Sequence, residues 1–363
     1  MRRDAISTPA LVLDLDAMQH NIAVMTTHAK RAGVALRPHA KAHKCTVIAS
    51  KLAEAGALGP ACATLDEAEA MAGAGLSGIL ITSPVVSAAM LDRLRKLLMR
   101  GGDVHLVVDA AANVARLSDV AAAAEHNLRL IVELDVGQKR TGCREPEDAV
   151  ALAHMIAGAA WLRFAGIQAY WGHLQQVMPI HERRGRAEIQ ARQVRRLVEL
   201  LRKSGLAPGI ITGGGTGTSF IDPPFEIFTE IQPGSFLFLD SCYAAIPMEE
   251  GAANPFRPSL FVAATVVASN HPDRVIINAG YKALATDSGQ PLPMSGAPAN
   301  ATYRFMGDEH GAIDFTSGPA PVIGDMVELL TPHCDPTVNL HAQYHVARGE
   351  EIIDVWPIAA RGY

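Results

Sequence analysis

The sequence predicts an α/β fold, a (β/α)8 TIM-type barrel followed by a smaller all-β domain. Eight short apolar or β-branched runs alternate with segments rich in Ala, Leu, Glu and Arg over roughly 220 residues, as expected of a barrel of ordinary size. After about Pro247 the pattern changes, and strand-like runs are joined by loops rich in Gly, Pro and Asn. A strand-like N-terminal segment, "TPALVLDLD", precedes the first predicted helix.

Each barrel element has a local signal. The first helix is predicted in "LDLDAMQHNIAVMTTHAKRAG", where Asp16 and Gln19 resemble a capping box and Gly33 is placed to end the helix. The eight strands are predicted in "VALRPHAK", "GPACAT", "GILITS", "VHLVVDA", "LRLIVELDV", "FAGIQAY", "GIITGGG" and "EIQPGSF". A doubly wound open sheet is the competing fold, and the count of eight units favours the barrel.

The second domain is predicted to consist of strands without a helix. Its runs are "SLFVAATVVASN", "DRVIINAGYKAL", "GDMVELLTPH" and "EEIIDVWPIA". We expect residues 10–247 to form the barrel, and residues 248–363 together with residues 1–9 to form the β domain. The N-terminal strand-like segment is a candidate to pair with that domain.

Composition narrows the class of partner. The chain has 363 residues, 49% of them hydrophobic, and a formal net charge of −5, which supports neither a nucleic acid nor an anionic membrane as partner. No apolar run has the length of a signal peptide or of a membrane span. The cysteines number five and are scattered, which favours free thiols in a reducing compartment. We therefore expect a cytoplasmic protein that acts on a small molecule.

The stretch "LRPHAKAHK" concentrates cationic and imidazole side chains at the end of the first predicted barrel strand. Pro38 prevents a helix there and favours extended backbone before it. Because side chains alternate along extended backbone, Arg37, His39 and Lys41 are predicted to share one face. Three such side chains at the end of a barrel strand indicate an active-site mouth.

Two glycine-rich stretches follow the seventh and eighth predicted strands, where barrels often hold phosphate. They are "TGGGTGTS" and "QPGSF", and their backbone N–H groups and hydroxyls can surround an anion. Neither is a P-loop, because no Gly-Lys-Ser/Thr follows. We expect the phosphate contacts to come from Thr216, Gly217, Thr218, Gly234 and Ser235.

A lysine facing a phosphate site suits pyridoxal 5'-phosphate (PLP), whose aldehyde forms a Schiff base with an amine. An aldolase that forms a Schiff base directly with a sugar phosphate fits the same spacing and remains an alternative.

The stretches "TPALVLDLDAMQHNI", "LRPHAKAHK", "TGGGTG", "IQPGSF" and "PHCDPTVNLH" together resemble the D-threonine aldolase and D-serine dehydratase family. Members of that family are fold-type III PLP enzymes, with an alanine-racemase-like barrel and a β domain. The resemblance runs nearly from end to end of the chain. It implies that Lys41, rather than Lys44, is the Schiff-base lysine.

The resemblance also implies roles in the cofactor pocket. "VELDVGQKRTG" matches the segment whose arginine approaches the PLP ring nitrogen, here Arg140. A cation there keeps the pyridine unprotonated and weakens the ring as an electron sink. Tyr170 resembles the tyrosine that lines the pocket, and Tyr243 resembles another near the phosphate.

"PHCDPTVNLH" carries the metal prediction. If the backbone stays extended after the preceding strand, His333 and Asp335 lie on one side and Cys334 on the other. One imidazole and one carboxylate suit Mn²⁺, Mg²⁺ or Co²⁺ completed by water, whereas zinc would more naturally recruit a thiolate. Dehydratases in the family resemble a His-x-Cys pair instead, so Asp335 matches the aldolase branch. We expect Mn²⁺ first.

These assignments predict a PLP- and divalent-metal-dependent lyase that cleaves D-configured β-hydroxy amino acids to glycine and an aldehyde. Family aldolases carry a histidine six residues after the pocket tyrosine, proposed to handle the β-hydroxyl proton; here that position is Gln176. The candidates to replace it are His173, another histidine such as His310, and metal-bound hydroxide; we expect His173 first. By analogy with related folds, we expect a homodimer.

Three alternatives remain. A dehydratase would release a keto acid and ammonia from D-serine or 3-hydroxyaspartate. A racemase would need a second base opposite Lys41, where the resemblance places the metal pair. A non-enzymatic PLP carrier of the single-barrel kind would have no second domain.

Overall fold

A computed structural model of the chain describes residues 1–362. It contains two sheets, and the first strand, β1 (Ala10–Asp14), belongs to the second of them. The strands of the first sheet are β2 (Ala35–Leu36), β3 (Ala61–Cys62), β4 (Ile79–Ile81), β5 (Val104–Val108), β6 (Leu128–Glu133), β7 (Leu162–Ala169), β8 (Ile210–Gly213) and β9 (Glu230–Ile231).

All eight strands of the first sheet pair in parallel, in the order β2-β9-β8-β7-β6-β5-β4-β3. A parallel bridge between His39 and Ala61 brings its two edges together. Every residue of β5 is buried, because a barrel strand is covered by side chains on one face and by helices on the other. Each of the eight predicted runs overlaps one of these strands, and β7 begins two residues before its run, so the predicted barrel is confirmed.

Helices precede or connect the barrel strands. Their bounds are α1 (Leu15–Arg31), α2 (Thr46–Glu54), α3 (Leu65–Gly73), α4 (Ala88–Met99), α5 (Ala111–Ala123), α6 (Pro146–Ala157) and α7 (Ile180–Lys203), and the short α8 (Ser241–Ala244) follows the last barrel strand. The predicted cap of α1 was wrong by two residues: Asp14, not Asp16, accepts the Ala17 N–H at 2.9 Å. Helix α1 buries Met18 and Met25 completely.

The second sheet forms the β domain. Its further strands are β10 (Leu260–His271), β11 (Arg274–Ile277), β12 (Leu292–Ser295), β13 (Thr302–Phe305), β14 (Gly311–Asp314), β15 (Met326–Leu330), β16 (Gln343–Arg348) and β17 (Glu351–Pro357). Strand β1 lies inside this sheet, antiparallel to β10 and parallel to β16. The chain therefore starts in the β domain and enters the barrel through α1.

One expectation for the β domain was wrong. A helix, α9 (Cys334–Leu340), interrupts the strands directly after the segment predicted to bind a metal. The five cysteines form no disulfide among the described residues. Within residues 1–362, no helix is both long enough and apolar enough to cross a bilayer.

Candidate active site

A cavity of about 460 Å³ opens at the carboxyl ends of the barrel strands. Its wall is built mainly by residues that follow β2, β3, β4, β7, β8 and β9, and the β domain covers one side with Ser288, His333 and Asp335. This is the end of the barrel at which enzymes of this architecture place their catalytic groups. Ten residues of the predicted site line the cavity: Lys41, Arg140, Tyr170, His173, Thr216, Gly234, Ser235, Tyr243, His333 and Asp335.

Lys41 lies in a 3-10 turn, Ala40–Ala42, just after β2. Its side chain is 42% exposed, so the amine can be reached from the cavity. The Lys41 Nζ lies 3.4 Å from the Asp335 Oδ2, which joins the barrel to the β domain. The Asp335 charge raises the pKa of Lys41, against the opposing effect of burial.

Arg37 does not share the cavity with His39 and Lys41, so that expectation was wrong. The chain turns at residues 40–42, and Arg37 points to a buried carboxylate within the barrel. Its Nε donates to the Glu230 Oε1 at 2.6 Å and its Nη2 donates to the Glu230 Oε2 at 3.0 Å. Arg37 thus ties β9 to the end of β2.

Lys44 is also removed from the cavity. Its Nζ lies 3.5 Å from the Glu67 Oε1, and both side chains are buried. Lys44 precedes α2, which begins at Thr46.

His39 is a cavity residue that sequence reasoning left without a role. Its Nε2 lies 3.2 Å from the Thr82 Oγ1, whereas its Nδ1 is buried without a partner among the described residues. Burial, followed by the charge of Lys41, lowers the pKa of His39 to about 3. The imidazole is therefore neutral at pH 7 and retains one unused ring nitrogen beside Lys41.

The loops after β8 and β9 meet at the cavity wall. The backbone N–H groups of Gly215, Thr216, Gly234 and Ser235 donate no hydrogen bond to any residue in the range 1–362. The Thr216 Oγ1 accepts the Phe236 N–H at 3.0 Å, which holds the two loops together. Four unused backbone donors on adjoining loops fit an anion such as a phosphate group.

Gly217 and Thr218 do not line the cavity. The Gly217 N–H donates to the Gln175 Oε1 at 3.0 Å, and the Thr218 hydroxyl donates to the Asp222 Oδ2 at 2.5 Å. Both residues therefore lie behind the loop surface, where they hold the loop instead of facing a ligand.

The aromatic wall of the cavity contains Tyr170, at the end of β7, and Tyr243 in α8. The Arg140 guanidinium carbon lies 5.9 Å from the centre of the Tyr170 ring, within reach of a cation–π contact. Burial raises the pKa of Tyr243 well above its usual range, so its phenol is neutral. This wall of the cavity thus offers two aromatic rings and the Arg140 cation.

His333 and Asp335 both reach the cavity, although the backbone between them is not extended. Helix α9 begins at Cys334, and the Cys334 thiol is fully buried and donates to the Asp335 Oδ1 at 3.2 Å. The His333 Nδ1 lies 2.6 Å from the Asp287 Oδ2. Burial alone would raise the pKa of Asp335, but the charges of Lys41 and His333 lower it below its usual value.

This pair fits a divalent metal ion. With its Nδ1–H held by Asp287, His333 keeps the Nε2 lone pair for a metal, a common second contact of metal-binding histidines. No group of three or more His, Cys, Asp or Glu side chains in residues 1–362 is arranged to hold a metal. The remaining positions would fall to water and substrate. Asp287 was missed because its partner lies 46 residues away.

His173 and Gln176 lie on the same loop after β7, and both line the cavity. Partial desolvation lowers the pKa of His173, against the opposing charge of Asp135. His173 is therefore a neutral imidazole at the rim, available as a proton acceptor.

Comparisons with known proteins identify the family of this chain. Residues 13–242 match the alanine racemase N-terminal domain family, and residues 259–347 match a putative serine dehydratase domain. The chain is 39% identical to a D-threonine aldolase from Arthrobacter sp., over 99% of this chain and 93% of the relative. It is 37% identical to a 3-hydroxy-D-aspartate aldolase from Paracoccus denitrificans (strain Pd 1222), over 100% of this chain and 94% of the relative.

A solved structure has the same fold as this chain. The crystal structure of D-threonine aldolase from Filomicrobium marinum superposes with a TM-score of 0.95 at 34% identity, covering 99% of this chain and 97% of that one. The chain therefore belongs to the D-threonine aldolase and D-serine dehydratase family of alanine-racemase-like barrel proteins, in its aldolase branch.

Proposed function

We propose that this chain is a PLP-dependent carbon–carbon lyase, which cleaves D-configured β-hydroxy amino acids by a retro-aldol reaction to glycine and an aldehyde. The relatives named D-threonine aldolase and 3-hydroxy-D-aspartate aldolase support this reaction. The observation that carries it is one cavity that holds an accessible lysine, a set of unused backbone donors and a histidine–carboxylate pair.

For the cofactor, Lys41 would supply the amine that holds PLP covalently. Gly215, Thr216, Gly234 and Ser235 would bind its phosphate through their backbone N–H groups. When bound, PLP supplies the electron sink that accepts the electron pair of the breaking Cα–Cβ bond. Tyr170, Tyr243 and Arg140 would line the remaining cofactor surface, with Arg140 proposed beside the ring nitrogen.

For the metal, His333 and Asp335 would bind a divalent ion, with Mn²⁺ proposed first and Mg²⁺ or Co²⁺ as alternatives. A borderline-to-hard ion suits this donor pair, and Cys334 is buried and turned to Asp335. The ion supplies Lewis acidity that lowers the pKa of the substrate hydroxyl. Asp287 would orient His333 by holding its other ring nitrogen.

For the proton, His173 would accept the β-hydroxyl hydrogen as the Cα–Cβ bond breaks. Gln176 lines the same wall but cannot carry out acid–base chemistry. Loss of a general base costs on the order of 10²–10⁴-fold in rate. We therefore expect His173→Ala to lose turnover by that order, and Gln176→His to raise it if the pocket accepts the ring.

The experiment is an assay of products. Wild-type protein is incubated with Mn²⁺ and D-threonine, D-phenylserine or D-3-hydroxyaspartate, and glycine, aldehyde, keto acid and ammonia are measured. We expect glycine and aldehyde in equal amounts. Stoichiometric ammonia and keto acid without glycine would replace the aldolase by the dehydratase alternative. No conversion of any of the three would reject the substrate class.

The proposal includes a homodimer in the cytoplasm, with small amino acids as substrates. It also keeps the division of the chain at residues 247 and 248, with the pairing of β1 adding residues 10–14 to the β-domain sheet. Size-exclusion chromatography with light scattering measures the assembly directly.

A further inference from the structure

A buried chain of hydrogen bonds lies behind the glycine-rich loop after β8. The Gln175 Oε1 accepts the Gly217 N–H at 3.0 Å, and the Gln175 Nε2 donates to the Thr218 Oγ1 at 3.0 Å. The Thr218 hydroxyl donates to the Asp222 Oδ2 at 2.5 Å. The Trp171 Nε1 donates to the Asp222 Oδ1 at 3.0 Å.

The carboxyl group in this network is unusual in its surroundings. Asp222 is fully buried, and its carboxyl group accepts hydrogen bonds from the Thr218 hydroxyl and the Trp171 indole, neither of which is a cation. Burial raises the pKa of Asp222 to about 8. A buried carboxyl group without a cation costs stability, so its two hydrogen bonds indicate a position that the fold holds tightly.

The network joins the two loops that build most of the cavity. Gln175 and Trp171 belong to the loop after β7, whereas Thr218 and Asp222 follow β8. The two loops are in close contact: a Cβ atom at Gly217 would collide with the Gln175 carbonyl oxygen. The unused N–H groups of the loop after β8 therefore take their positions from the residues behind them.

We propose that Thr218 and Asp222 are positioning residues for the cofactor phosphate, which act by holding the Gly215 and Thr216 N–H groups in register with the loop after β7. This inference rests on the proposed function, because it requires a phosphate at this loop. It adds that the residues behind the loop determine phosphate affinity without contacting the phosphate.

The test uses a pair of matched variants at one position. Thr218→Val keeps the shape of the side chain but removes the hydroxyl, and Thr218→Ser keeps the hydroxyl. Full-length protein, freed of cofactor, is titrated with PLP and with pyridoxal, which has the same aldehyde but no phosphate. The Kd for each is measured by absorbance.

We expect Thr218→Val to weaken PLP binding about 10- to 100-fold, with pyridoxal binding changed less than about threefold. Thr218→Ser should match wild type with both compounds. Asp222→Asn tests the other end of the same bond, and it should lower the PLP-to-pyridoxal preference as Thr218→Val does. Thermal unfolding of each variant shows whether it is folded.

Equal losses for PLP and pyridoxal would overturn the inference, since they would mean a general effect on the cavity. Unchanged PLP binding in folded Thr218→Val and Asp222→Asn would overturn it as well. If the wild-type protein bound PLP no more tightly than pyridoxal, the proposed phosphate site itself would be rejected. This outcome concerns the wild type and is therefore distinguishable from the two outcomes for the variants.

Discussion

Replacing Arg37 with methionine tests whether this residue holds the barrel or serves the cavity. Methionine keeps the length and most of the volume of the side chain but removes the cation. The change leaves Glu230, whose residue surface is 2% exposed, without its two hydrogen bonds of 2.6 Å and 3.0 Å. It also removes the donor to the Gly78 carbonyl oxygen.

The loss in free energy of unfolding can be calculated from the energetics of the buried ion pair between Arg37 and Glu230. Removing one partner of a buried ion pair typically costs about 3–5 kcal/mol. The stranded carboxylate can instead take up a proton, which from an ordinary glutamate pKa of about 4.3 costs about 3.7 kcal/mol at pH 7. That cost falls by about 1.4 kcal/mol for each pH unit below 7.

We therefore expect Arg37→Met to lower the free energy of unfolding by about 3–5 kcal/mol at pH 7 and by about 1–2 kcal/mol at pH 5. The sign follows from proton linkage: near neutral pH the folded variant binds a proton that the unfolded chain does not, so acid favours the folded variant relative to wild type.

Urea unfolding followed by tryptophan fluorescence at pH 5, 6 and 7 measures the difference from wild type. The control is the double variant Arg37→Met with Glu230→Leu, which removes both charges. It should recover most of the loss and show no pH-dependent difference from wild type. A single variant as stable as wild type but with greatly reduced turnover would refute this reasoning and return Arg37 to the active site.

Borohydride treatment of the protein with bound PLP should fix the cofactor to Lys41, as peptide mass spectrometry would show; label on any other lysine contradicts the assignment. Asp335→Ala should abolish Mn²⁺ binding measured by electron paramagnetic resonance, whereas Cys334→Ala should retain it, and the reverse result would exchange the ligands. In the same assay, Asp287→Ala should weaken Mn²⁺ binding about 10- to 100-fold, because its histidine partner loses its orientation. Burial lowers the pKa of His43 to about 4, below the ordinary histidine value, so its stabilising contribution is lost as the pH falls from about 6.5 to about 4. When the pH falls from 7 to 5, the free energy of unfolding should therefore decrease by about 2 kcal/mol less in His43→Gln than in wild type. Equal decreases in the two proteins, measured by urea unfolding, would contradict this.

Several features were predictable from local pattern alone. The eight strands were predictable because a strand that is buried on both faces appears in the sequence as a short apolar run. The helices between the strands have a different composition, which separates the runs. The positions of Lys41 and of the two glycine-rich loops followed from them, because parallel strands bring every carboxyl end to the same end of the barrel.

Other features depended on a partner far along the chain. Arg37 belongs to the barrel interior because its guanidinium group donates a hydrogen bond to the carboxylate of Glu230, which is 193 residues away along the chain. The Thr218 side chain points away from the cavity because its hydroxyl donates a hydrogen bond to Asp222 and accepts one from Gln175. No local pattern marks such a partner.

The sequence by itself therefore determined the barrel, the end of it that carries the cavity and the lysine and loops that meet there. Only the tertiary structure decided which polar side chains face the cavity and which are used behind it. The physical reason is that backbone periodicity and turn chemistry are set by neighbours along the chain, whereas a buried charge or hydroxyl points to whichever distant group satisfies it. The Asp287 carboxylate beside His333 is one such group, visible only once the chain is folded.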